Sequence, residues 1–327
     1  MATFLIVNTG GTIGMVASPE GLTPKAGVIN EAMQSHPALA AWRDHKLHWQ
    51  QWSPLQDSSD LQPEHWFRLR ESIQAQTGID GVLIIHGTDT LSYSGAALSY
   101  LLADSHFPIV LTGSMKPVLA PETDAIDNLM LALDALTSRP GGVYIAVGSS
   151  LLPAALTTKR STLTHDAFDA PAWSGDWNPI ETKPQAFKRS WRSPKIAVFT
   201  LFPGFDPVQI SQVITSGVSA ILINAFGNGN AANTEAMHQA LAQASAAAVP
   251  VFVRSQCYEG LVNIGQYAAS GLFGHAAAVS CGLMTFEAAL TKLLLLCNEL
   301  DSAESIRLAF QQAISFEWES TRRYTKA

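Results

Sequence analysis

Two hydroxyl-rich motifs stand directly after two apolar runs, which is where a fold can place a nucleophile. Asn8-Thr9-Gly10-Gly11-Thr12-Ile13-Gly14 follows Phe4-Leu5-Ile6-Val7, and His86-Gly87-Thr88-Asp89-Thr90 follows Val82-Leu83-Ile84-Ile85. Each apolar run reads as a buried parallel strand, so each motif sits where that strand ends. In open α/β sheets, ligands bind just beyond the carboxyl ends of strands. The pair therefore predicts one site with two nucleophile candidates, Thr12 and Thr88.

A threonine hydroxyl attacks a carbonyl only when a base takes its proton. Gly10 and Gly11 allow a tight turn whose amide N–H groups approach a ligand, as an oxyanion site requires. Taken alone, the first motif reads equally well as a strand-end turn with a capping threonine. It lacks the G-x-G-x-x-G spacing of a dinucleotide loop. In the second motif, Asp89 can accept hydrogen bonds from an ammonium group and Thr88 can position a water. The competing reading is a helix cap before Leu91. His86 is expected to be a core histidine whose ring meets a backbone carbonyl. Asp57-Ser58-Ser59-Asp60 is either a turn or a pocket for a polar head group. In Thr157-Thr158-Lys159-Arg160, Lys159 is either a base in a partly buried site or a surface lysine.

Composition narrows the class of partner. Hydrophobic residues make up 47% of the 327 residues and charged residues 14%, a balance that suits a large core and not disorder. The net charge of −7 and the absence of a basic cluster exclude a nucleic-acid partner from the reading. No apolar run spans a bilayer, and no charged and apolar leader precedes the first strand, so a cytoplasmic, non-membrane protein is expected. Cys257, Cys281 and Cys297 have neither metal-ligand spacing nor a disulfide pattern, and read as buried free thiols.

These residues have to be positioned by the elements around them. Strands are expected at 4–8, 81–86, 107–112 and 142–148, with helices at 63–76, 92–103 and 124–138 between them. That alternation predicts an α/β fold with a large N-terminal, doubly wound, mainly parallel sheet domain. A stretch rich in proline and tryptophan from about 167 to 194 breaks the periodicity. A second, smaller α/β series follows, with strands at 195–201, 219–224 and 249–254 and helices at about 231–247, 284–299 and 302–316. The expected division is an N-terminal catalytic domain at 1–180, a linker at 181–194 and a C-terminal domain at 195–327.

Together the motifs resemble the bacterial-type L-asparaginase family, in its cytoplasmic type I branch. The matching pieces are Thr9-Gly10-Gly11-Thr12-Ile13-Gly14-Met15, Asp57-Ser58-Ser59-Asp60, His86-Gly87-Thr88-Asp89-Thr90, Thr112-Gly113-Ser114, Thr157-Thr158-Lys159 and Gly227-Asn228-Gly229-Asn230, in the family's order over nearly the whole chain. The resemblance implies an amidohydrolase that converts L-asparagine to L-aspartate and ammonia. In it, Thr12 forms a β-aspartyl ester, and Thr88, Asp89 and Lys159 move protons and handle water. Backbone N–H groups near Gly11 and Thr88 would stabilise the oxyanion. Asp57, Ser58 and Asp89 would hold the amino and carboxylate groups of the substrate, with Ser59 lining the pocket. Asn230 would complete a neighbouring subunit's site in a homodimer or a homotetramer built as a dimer of dimers. The resemblance implies neither a metal nor an organic cofactor.

Two positions depart from the family pattern. A lid segment, Ser18-Pro19-Glu20-Gly21-Leu22-Thr23-Pro24, follows the first motif, and Leu22 stands where the family carries a tyrosine that helps the nucleophile lose its proton. The first tyrosine in the chain is Tyr93. The expectation is lower turnover or a substitute group, with Thr23 as the local candidate. Some type I members bind asparagine at an allosteric site through an arginine, and Asn224 stands at that position here. Two other readings compete: an enzyme preferring glutamine or another amide, and a catalytically weak amino-acid-binding protein with the same fold.

Overall fold

The computed structural model describes residues 1–19, 21–175, 177, 182–264 and 268–315. The chain divides into two units, Met1–Ala170 and Pro171–Ala327. In the first, β1 (Thr3–Gly10) leads into a hairpin of β2 (Met15–Ser18) and β3 (Gly21–Pro24), then α1 (Val28–Ser35) and β4 (Lys46–Gln56). There follow α2 (Pro63–Gln74), β5 (Gly81–Ile85), α3 (Leu91–Leu101), β6 (Pro108–Thr112), α4 (Ala125–Ser138) and β7 (Gly142–Val147). Short strands β8 (Ser150–Pro153), β9 (Thr158–Lys159) and β10 (Phe168–Asp169) close the unit.

Phe4, Leu5, Ile6 and Val7 are apolar on both faces of their strand and fully buried, so β1 needs cover on both sides and a neighbour along each edge. Each such side chain contributes roughly 1.5–3 kcal/mol by leaving water. The main sheet runs β4-β1-β5-β6-β7-β8, parallel except for the last pair. Numbering its five parallel strands in chain order gives 2-1-3-4-5, so the winding reverses at β1. The chain leaves β1 for one side and returns to pair on the other. The loops after β1, β4 and β5 therefore open into one crevice at the carboxyl edge.

The strands expected at 4–8, 81–86, 107–112 and 142–148 and the three helices between them form within a few residues of their expected bounds. The apolar pattern does not announce β4. Most of its side chains are partly or fully exposed and only Trp52 is buried, so it carries little of the signal of an interior strand. It is nonetheless the longest strand and supplies the loop with Asp57.

The second unit contains β11 (Ile196–Thr200), α5 (Val208–Thr215), β12 (Ala220–Ala225), α6 (Glu235–Ala246), β13 (Val251–Ser255), α7 (Ala268–His275), β14 (Val279–Ser280), α8 (Phe286–Glu299) and α9 (Ala303–Phe310). Among the described residues its four strands pair in chain order, all parallel. A core of Ile210, Ile221, Ile223, Leu241, Val253 and Phe273 lies between sheet and helices. α6 begins later than the periodicity predicts because the Thr234 hydroxyl caps it by accepting from the Met237 N–H. The last helix ends at Phe310, not at 316, and residue 316 lies outside the described residues. Cys281 and Cys297 are buried, and burial pushes both thiols up to about 12. Cys257 is exposed, contrary to the buried-thiol reading, because it lies just past the end of β13 where the chain turns outward. Among the described residues no helix is long and apolar enough to cross a membrane.

Candidate active site

Gly11 is where the first two motifs meet. Its φ of 93° is open to glycine, and a methyl group there would stand 2.5 Å from both Cα and N of Gly87. The backbones after β1 and β5 thus touch with no side chain between them. Gly10 is as tightly placed on the other side, its missing Cβ falling 2.2 Å from the Gln56 carbonyl oxygen, and the Gly11 N–H donates to that same oxygen at 3.2 Å. Thr9 adds a hydroxyl bond to the Ile85 carbonyl at 2.9 Å. Together these contacts fix the backbone that carries Thr12.

Thr12 opens a short 3-10 turn, Thr12–Gly14, whose N-cap is Gly11 and which has no side-chain cap bond. The capping-threonine reading therefore does not describe it. The helix after the second motif begins at Leu91, and its N-cap is Thr90, without a capping side-chain bond. The Thr90 hydroxyl instead donates to the Ser58 carbonyl at 2.7 Å, tying the third loop to the second. Thr88 and Asp89 are left to face Lys159, whose Nζ lies 2.9 Å from Thr88 Oγ1 and 2.7 Å from Asp89 Oδ1. Lys159 is delivered by β9, which pairs antiparallel with β10. Its side chain is 15% exposed while that of Asp89 is 67% exposed, so the ammonium is the sheltered partner of the pair.

These groups line a cavity of about 210 Å³ with Gly11, Thr12, Asp57, Ser58, Gly87, Thr88, Asp89, Met115, Lys159 and Thr162 in its wall. That is small against the usual range for drug-sized ligands and suits a metabolite of a few heavy atoms. Asp57 Oδ1 accepts the Ser59 N–H at 2.9 Å and the Ser59 hydroxyl at 2.8 Å. The N–H first and then the hydroxyl hold the Asp57 carboxyl below the usual carboxylate range, against a smaller opposing effect of burial. Asp57 is therefore an anion at neutral pH, fit to meet an ammonium group. Ser59, expected in the pocket lining, is not part of this wall; its polar groups brace Asp57 from behind.

Met115 and Thr162 belong to the wall without any motif to mark them. Met115 follows the Thr112-Gly113-Ser114 motif by one residue and is the wall's apolar member. Its N–H donates to both carboxylate oxygens of the buried Asp124, at 3.1 and 2.9 Å. Asn128 supports the same loop by donating to the Gly113 carbonyl at 2.8 Å. Thr162 lies in a loop with no periodic signal. Leu22 and Thr23 are on the β2–β3 hairpin, paired with Ala17 and Val16, and neither lines the cavity. Leu22 is exposed. Asn230 belongs to the second unit, where it bridges Phe226 through two backbone bonds, and among the described residues its buried Oδ1 has no hydrogen-bond partner.

His86 is fully buried behind the wall. Its ring reaches the Gly87 carbonyl through Nδ1 at 2.7 Å and the Ser94 hydroxyl through Nε2 at 2.9 Å. Burial lowers its pKa to about 4, offset in part by the bond to Gly87.

Comparison with known proteins identifies the family of both units. Residues 3–180 match the family model for the asparaginase N-terminal domain, and residues 195–310 match that for the glutaminase/asparaginase C-terminal domain. The chain is 32% identical to L-asparaginase 1 of Escherichia coli K12, over 95% of this chain and 96% of that protein. It is 27% identical to the L-asparaginase of Thermococcus kodakarensis, over 96% of this chain and 98% of that one. Glutamyl-tRNA(Gln) amidotransferase of Methanosphaera stadtmanae has a component 26% identical to it, over 97% of this chain and 76% of that one. Among solved structures, L-asparaginase I of Vibrio cholerae superposes with a TM-score of 0.84 at 30% identity, covering 97% of this chain and 98% of that one. With the fold, both family models and a relative of this similarity in agreement, the chain belongs to the asparaginase family and is an amidohydrolase.

Proposed function

We propose that this protein hydrolyses L-asparagine to L-aspartate and ammonia through a threonyl ester. The observation that carries the reading is the Lys159 ammonium held between Thr88 Oγ1 and Asp89 Oδ1 in the wall of the cavity that Thr12 shares. Asp57 and Asp89 bind the ammonium group of the substrate, and Ser58 binds its carboxylate. Thr12 Oγ1 attacks the side-chain amide carbon, and the Thr88 N–H receives the developing oxyanion; the Gly11 N–H, expected to share that role, is instead given to the Gln56 carbonyl. The C–N bond breaks, and ammonia leaves with the proton given up by Thr12. Water, positioned by Thr88 and Lys159, then attacks the ester carbon and frees aspartate and the Thr12 hydroxyl.

In this reading the protein works as a homo-oligomer in the cytoplasm, and Asn230 of a second copy completes the site. Leu22 favours an enzyme slower than its tyrosine-bearing relatives.

The test is ammonia release from L-asparagine and, separately, from L-glutamine, by the wild type and by Thr12→Ala. Release from asparagine that vanishes in Thr12→Ala supports the reading. Faster release from glutamine would replace the substrate. Asparagine binding without release from either amide would make the chain a binding protein.

A further inference from the structure

Behind the cavity wall, three buried side chains form a hydrogen-bonded line in which every proton has a fixed place. Trp66, on α2, donates from Nε1 to Ser94 Oγ at 3.1 Å. Ser94, on α3, is 2.9 Å from His86 Nε2, and His86 Nδ1 is 2.7 Å from the Gly87 carbonyl. An indole N–H can only donate, and a carbonyl can only accept. The Gly87 end therefore requires the proton on Nδ1. A neutral ring then offers Nε2 as an acceptor, which requires the Ser94 hydroxyl to donate to it and to receive the indole N–H on its oxygen. The sequence of donations runs Trp66 to Ser94 to His86 to Gly87.

The carbonyl at the end of this line belongs to the peptide whose N–H is that of Thr88, and both residues line the cavity. Gly87 has no side chain to brace that peptide, since a methyl there would meet Ser58 Oγ at 2.5 Å and one on Gly11 would meet Gly87 itself. We infer that Trp66, Ser94 and His86 are positioning residues, which set the plane of the Gly87–Thr88 peptide and so aim the Thr88 N–H and side chain at the reacting amide. This rests on the proposed threonyl reaction. Hydrogen bonding at the carbonyl also strengthens the N–H of the same peptide as a donor. His86 itself touches no substrate.

The test compares His86→Leu with His86→Asn. Leucine fills the buried space but cannot donate. Asparagine leaves more space, yet its side-chain amide nitrogen falls near the place of Nδ1 and can donate to Gly87. If His86 aims the peptide, His86→Leu lowers kcat for asparagine about tenfold or more with KM nearly unchanged, His86→Asn restores most of it, and Ser94→Ala falls between. Nitrogen NMR of the wild-type ring should show the neutral Nδ1–H tautomer, and Ser94→Ala should keep it, because the Gly87 carbonyl still requires the proton on Nδ1. If packing is all that matters, His86→Leu outperforms His86→Asn, and kcat follows thermal stability; that order, or an Nε2–H ring in the wild type, overturns the inference. Wild-type protein that releases no ammonia from asparagine or glutamine removes the threonyl reaction itself, and with it the catalytic meaning of the line.

Discussion

Gly11 and Gly87, seventy-six residues apart in the chain, are in backbone contact: a methyl on the first would lie 2.5 Å from Cα of the second. The contact joins the loop of Thr12 to the loop of Thr88 at a distance no other residue type allows. Gly11→Ala should therefore force the two loops apart. The expected outcome is loss of measurable ammonia release and a destabilisation of about 2 kcal/mol or more, read from the urea midpoint. Gly21, whose missing Cβ meets nothing within 4 Å, is the control for strain without collision, because its φ is also positive.

Lys159→Met keeps the length of the stem and removes the ammonium. Asp89 is exposed, so water can take over its solvation and the fold should survive. The expected loss in kcat is about a hundredfold or more, with unchanged circular dichroism. Full activity would show that the Thr88–Lys159 bond is only structural.

His86 makes stability depend on pH in a defined window. Its folded pKa, about 4, lies below the ordinary value of 6.5. Between these values the unfolded chain binds a proton that the folded chain refuses, so stability is complete above pH 6.5 and falls toward pH 4. The full loss is about 3 kcal/mol. Asp57, with its lowered carboxyl, contributes in a more acidic window, losing its share only as pH falls below 3.8. Thermal unfolding of wild type and His86→Asn from pH 7 to 4.5 should show a slope that the variant lacks.

Leu22→Tyr tests the lid. The side chain sits on the exposed hairpin opposite Ala17, so the ring can be accommodated without repacking the core. A phenol that takes part in proton transfer should raise kcat by roughly tenfold to a hundredfold. An unchanged kcat would mean that this enzyme relies on another group.

Asparagine saturation should be hyperbolic, with a Hill coefficient near one. Asn224 is buried at the end of β12 and donates from Nδ2 to the Thr200 hydroxyl at 3.0 Å, so it presents no cationic fork to a second carboxylate. Arg254, its partner in register on β13, donates to the carbonyls of Met284 and Ser255. Sigmoidal initial rates would contradict this.

What can be read from the chain follows from how each element is buried. Strands such as Val82-Leu83-Ile84-Ile85 are covered on both faces and announce themselves as apolar runs. β4 does not, since the solvent reaches most of it, and the short β2, β3, β8, β9 and β10 have too few residues to show a period. The motifs at Thr12, Asp57, Thr88 and Lys159 are visible because glycines and short polar side chains are unusual at the ends of such strands. Met115 and Thr162 are not, because their place in the wall depends on buried support such as Asp124 or on an aperiodic loop. Ser59 looks like a pocket residue by its company, and only the geometry shows its hydroxyl turned toward Asp57.

The position of β1 between two parallel neighbours has a consequence for how the protein breathes. Amides of β1 point alternately to β4 and to β5, so exposing the strand as a whole takes the loss of long-range pairings on both edges, and the support of Thr12 opens at close to the cost of unfolding the whole unit. Among the described residues the β2–β3 hairpin pairs only with itself, through four residue pairs, and can open for a fraction of that cost. Deuterium uptake would then be fast over the cover and slow beneath it, and substrate could come and go many times while the nucleophile's footing never moves.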